Sequence, residues 1–118
     1  MAEPISVNDS ILLTIKKLIG ADRLYTVFDT DVIIEINSNI QDLTEIGIGP
    51  NEGFVVQDEN DLWTDFIGDR KDLESAKEYV YLGCKLVFDP PQSSSVLAHF
   101  EKRKAEVIWR LSSKVEVG

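Results

Sequence analysis

The chain has 118 residues, a single-domain length that allows roughly two-thirds of the unfolded surface to be buried without a disulfide or metal. Apolar residues make up 43% and charged residues 28%, which excludes a disordered polymer. The net charge of −9 is uneven: residues 1–69 hold 14 acids and 3 bases, a balance that repels phosphates and argues against tight nucleic-acid binding, whereas residues 70–118 hold 7 acids and 9 bases.

In chain order, "MAEPISVNDS" lacks the basic and apolar regions of a signal peptide, so a soluble intracellular product is expected, with residues 1–6 a flexible lead. Residues 9–19 read as a short helix with Ile11, Leu12, Ile15, Leu18 and Ile19 on one face. Ser6 with Asp9 forms the expected capping pair, and Gly20 closes the helix. Residues 21–28, "ADRLYTVF", read as a connector. Residues 30–46 give the cleanest helical stripe, Ile33, Ile36, Ile40 and Leu43, with Asp29 as the expected N-cap and Phe28 stapling onto Ile33.

"GIGPNEGFVVQDEND", residues 47–61, is a loop in which Phe54 to Gln57 suits a short extended segment. Its glycines follow a helix instead of opening one, so they are turn residues and not a phosphate cradle. "DENDLW" is acidic, but an EF-hand needs an oxygen ligand and a glycine where Leu62 and Trp63 stand. Residues 61–68 make a two-turn helix capped by Asp61, with Trp63, Phe66 and Ile67 as its apolar side. Residues 72–88 form a long central helix with the stripe Leu73, Ala76, Val80, Gly83 and Val87, widened by Tyr79, Leu82 and Leu86. Gly83 costs about 1 kcal/mol there relative to alanine, so its expected use is the close approach of a neighbouring helix.

Pro90 and Pro91 impose a stiff stop after Asp89. One of Ser93, Ser94 or Ser95 then caps a last helix over 94–115, with Leu97, Phe100, Ile108, Leu111 and Val115 inward. The short stop fixes the angle between the two helices, where a glycine-rich linker would free it. The expected fold is therefore mainly α, a single domain of four to five helices with at most a short β-hairpin or extended segment near residues 47–58.

Little in the chain suggests catalysis. The only cysteine, Cys84, falls within a buried helix, and the only histidine, His99, begins the last one. Neither a thiol enzyme nor a structural zinc site can be assembled from that pair alone, and no cofactor or metal is expected. On the last helix, Lys102 is expected to pair with Glu106 along a solvated face. Trp109 fits the buried stripe poorly and is followed by Arg110, and both residue types are enriched at interface anchors. Trp109, Arg110, Leu111, Val115 and Val117 are the candidate partner-binding residues. Val115 and Val117 could pair as a short strand or sit in a groove, although residues 112–118 also suit a flexible tail.

The segments "SILLTIKKLIG", "DTDVIIEINSNIQDLTEIGIGP", "GFVVQDENDLWTDFIGD", "YVYLGCKLVFDPPQSSSVL" and "WRL" occur in this order in a family of phage head–tail connector proteins. The chain resembles that family, also called head-completion or adaptor proteins of long-tailed phages and prophages of Gram-positive bacteria, over residues 6–115. Gly83 and Cys84 depart from its pattern, in which a longer residue and an aliphatic one are more usual. The resemblance implies a small helical virion protein without catalytic residues. It implies a ring of roughly a dozen copies under the portal protein, a closed cyclic assembly. That ring would extend the DNA channel and dock the next connector or tail-completion protein. DNA would pass an acidic wall without sequence-specific binding, and no membrane is involved. Self-repulsion at −9 suggests that the free protein is a monomer or weak oligomer. The residues themselves leave open two other readings, a small helical adaptor or regulator of a bacterial cell and an enzyme using unmarked carboxylates.

Overall fold

A computed structural model describes the backbone of residues 6–117 and the side chains of residues 6–115. Five α-helices follow one another: α1 (Ile11–Leu18), α2 (Asp29–Glu45), α3 (Trp63–Ile67), α4 (Ser75–Phe88) and α5 (Ser94–Val117). A single 3-10 turn, Lys71–Leu73, leads into α4. No strand forms among the described residues; Ser10 and Leu62 make only an isolated antiparallel bridge.

Helix α4 is the central element and packs on α5, α2 and α1. Its meeting with α2 depends on Gly83, because a Cβ there would collide with the side chain of Asn39. Asn39 is itself buried and donates to the Glu35 carbonyl at 2.8 Å. On another side of α4, Glu78 accepts two hydrogen bonds from Arg103 of α5, at 2.9 and 2.8 Å. Five residues separate Glu78 from Gly83, about 140° around a helix, so α4 is held between α2 and α5 on different faces. Ile36, Ile40 and Leu43 of α2, Val80 and Cys84 of α4, and Val107 and Leu111 of α5 belong to one core.

The loop after α2 is shaped by contacts that have no period. Gly49 adopts φ +92, and a Cβ there would strike the ring of Phe66. Phe54 stacks on Phe66 with ring centroids 5.3 Å apart. The segment 54–57, expected to be extended, has no regular secondary structure and no β partner. Instead the Asn37 side chain of α2 accepts from the Val56 N–H at 2.8 Å and donates to the Val56 carbonyl at 3.0 Å. Trp63 is a core residue, 2% exposed, and its indole N–H donates to the Thr14 hydroxyl.

Several local expectations change. Ser10, not the Ser6–Asp9 pair, caps α1, accepting from the Leu13 N–H at 3.2 Å. The buried face of α1 includes Leu13 and Lys16, while Leu18 is exposed. Phe28 occupies the N-cap position of α2, so Asp29 is its first helical residue and does not cap it. Phe28 packs edge-on against Tyr25 instead of stapling inward. Asp61 does not cap α3; its carboxylate accepts from the Gln57 and Asp58 N–H groups, and Asp65 accepts from the Leu62 N–H. Val87 leaves the α4 stripe for solvent, and Val107 joins the α5 stripe. Lys102 does not pair with Glu106, whose nearest cation is Arg103 at 3.9 Å.

Candidate functional site

The five candidate residues at the end of α5 separate by role. Leu111 is fully buried in the core. Val115 packs against that core beside Gly47, where an added Cβ would come within 2.9 Å of its Cγ1. These two anchor the helix, and Val115 lies within a helical run and not a strand. The Val117 side chain lies outside the described residues. Arg110 is exposed, and Trp109 is 72% exposed. Helical geometry explains the division: Val107 and Leu111 point inward, so residue 109, about 200° from 107, must point away. The neighbours of Trp109 one turn before and after, Ala105 and Ser113, are small and exposed, so its indole stands clear.

A second apolar surface is contributed by the connector 21–28, which the sequence reading passed over. Leu24 is 87% exposed, and Tyr25, Val27 and Phe28 are all exposed beside it. With Ile19, Ala21, Val32 and Phe88, the two aromatics line an open groove of about 490 Å³. Exposed apolar side chains on a loop are ordinarily free to rearrange, but this loop is held from beneath. Lys16 is 2% exposed, and its ammonium donates to the carbonyls of Arg23 and Tyr25, each at 3.0 Å. It also pairs with the Asp29 carboxylate at 2.8 Å. One buried cation therefore ties α1, the connector and the start of α2 together. The missed signal was a lysine placed on the apolar face of the first helix, between Ile15 and Ile19.

The residues with reactive potential are placed structurally. Cys84 is fully buried, and burial, followed by the nearby Glu35 charge, pushes its thiol up to about 12. It is a thiol and not a thiolate at neutral pH, while His99 lies on the exposed side of α5. The Tyr79 hydroxyl donates to Asp42 at 2.7 Å, and burial together with that carboxylate raises its pKa. Glu78 is held below the ordinary carboxylate range, chiefly by its hydrogen bonds from Arg103. Among the described residues, no three His, Cys, Asp or Glu side chains gather into a metal-binding group.

The model of the phage connector protein family matches residues 11–118. The chain belongs to that family. No curated protein and no solved structure is significantly similar to it. The match begins at the first residue of α1 and takes in every helix, so both exposed surfaces of this connector lie within the matched region. No helix among its described residues is long and apolar enough to cross a membrane.

Proposed function

We propose that this connector is a structural subunit of the phage head–tail junction, with no catalytic role. About a dozen copies form a ring beneath the portal, lengthen the DNA channel and give the next connector or tail-completion protein its docking surface. The protein resides in the virion once assembled and in the host cytoplasm before that. The reading is carried by the family match over residues 11–118, in a chain with two separate apolar surfaces turned outward. A ring subunit needs two such surfaces, because each copy must meet a neighbour on either side. The acidic balance of residues 1–69 suits a channel through which DNA slides without sticking.

On this reading Trp109 and Arg110 are the partner-binding residues of the last helix, while Leu111 and Val115 hold that helix in place. Val117 is assigned to the same contact. The experiment is co-expression with the portal protein of the same phage, followed by electron microscopy of the purified complex. A ring layer added to the portal is expected. A portal that stays bare in excess connector would overturn the proposal in favour of a cellular adaptor.

A further inference from the structure

We propose that the lateral contact of the ring is a head-to-tail insertion, in which Trp109 of one copy enters the connector groove of the next. The inference rests on the ring reading and adds which two surfaces meet. The groove walls are Ile19, Ala21, Tyr25, Phe28, Val32 and Phe88, an apolar lining that suits a large flat side chain. Trp109 is the most exposed aromatic residue of the described chain and stands between small neighbours.

The polar chemistry also matches. A buried indole N–H needs an acceptor. Asp22 lies in the groove wall, and its carboxylate, which accepts from the Leu24 N–H at 2.8 Å, retains further lone pairs. Charge complements shape. Asp22 puts a carboxylate in the groove wall, whereas Lys102, Arg110 and Lys114 on α5 make no salt bridge among the described residues. Opposite potentials on the two surfaces favour this pairing over two grooves or two α5 faces meeting.

A chain cannot satisfy its own groove. Val115 rests at Gly47, beyond the far end of α2, while the groove opens at the first turn of α2. About 25 Å of helix separates those ends, and Trp109, about 9 Å of helix before Val115, still stands about 16 Å or more from the groove. A knob and a hole on different parts of one molecule make a heterologous contact, the kind that repeats around a ring. The Lys16 clamp holds the hole in shape before the knob arrives, which lowers the ordering cost of each contact.

The test is site-directed disulfide trapping with Ala21→Cys and Ala105→Cys, small substitutions beside the groove and beside Trp109. Cys84 is buried and stays silent. Each variant is oxidised alone, mixed with the other, and mixed with the exposed-site control Gln41→Cys, both free in solution and on the portal. The expected result is a mixed 21–105 dimer that neither variant forms alone, and a ladder from the chain carrying both substitutions. Trp109→Ala in that chain should lower the yield about 30-fold, the effect of losing an interface hot spot. Yields no higher than the Gln41 control would overturn the inference. So would 105–105 dimers forming as readily, which indicate a two-fold contact. Electron microscopy of the same portal samples separates the failures: rings without the cross-link refute this contact alone, and bare portals refute the ring reading with it.

Discussion

Replacing Lys16 by methionine removes the clamp under the connector while keeping most of the side-chain volume. Because the aliphatic stem is conserved, the packing loss is small, and the effect is dominated by three lost partners. These are the carbonyls of Arg23 and Tyr25, each 3.0 Å from the ammonium, and the Asp29 carboxylate at 2.8 Å. Hydrogen bonds to a charged group contribute about 1.5–3 kcal/mol each, but Arg23 and Tyr25 are exposed and Asp29 partly so, so all three partners regain water when the lysine goes, and methionine avoids the cost of burying a charge. The expected loss is therefore about 2–4 kcal/mol, and the melting temperature should fall by about 10 °C for a domain of this size. Urea unfolding followed by circular dichroism measures the first quantity. Trypsin cleavage at Arg23 measures the second effect, release of the connector, and should accelerate well beyond any rise in global unfolding. Lys17→Met, one residue along and exposed, serves as the control and should stay within about 0.5 kcal/mol of the parent. If Lys16→Met is as stable as that control, the clamp does not organise the connector and the reasoning is refuted.

Three further outcomes can be checked on the isolated protein. Gly83→Ala gains about 1 kcal/mol of helix propensity, but its Cβ strikes Asn39, and overpacking of about 1–3 kcal/mol outweighs the gain; a net loss of about 1 kcal/mol is expected by urea unfolding. Glu78 has a folded pKa below its unfolded one, so its contribution is full above the ordinary glutamate range near 4.3 and is lost as pH falls through the folded value; the urea-midpoint gap between the parent and Glu78→Gln should shrink as pH drops below about 4, and a gap that is constant down to pH 2 would contradict the Arg103 pairing. Cys84 should react with a thiol reagent at neutral pH only at the rate of unfolding, and immediate labelling of the folded protein would contradict its burial.

The sequence carried the helices and little of what joins them. Ile36, Ile40 and Leu43 repeat at helical spacing, and one buried face follows from that alone. Gly83 was readable because a glycine inside a long apolar helix needs a reason, and Asn39 supplies it. Caps were misplaced because Ser6, Asp9 and Ser10 are all competent acceptors within five residues, and only the chain's direction of entry selects Ser10. Periodicity identified Trp109 as misfitting the inward face, and its exposure follows. The connector surface was illegible for a different reason. Tyr25, Val27 and Phe28 have no period, and their exposure depends on contacts between Lys16 and carbonyls seven and nine residues away. Backbone carbonyls leave no mark in a sequence.

The Asn37 clasp on Val56 bears on how the protein behaves in a crowded cell. A non-helical segment with an outward-facing valine at position 55 and open backbone groups is the type of chain on which other chains pair into aggregates. Here the donor and acceptor of Val56 are both taken by one amide side chain. Had a second strand done this work, its own outer row of N–H and C=O groups would have been offered to the next molecule. An asparagine side chain ends the ladder after one rung, because it has no outer edge to offer.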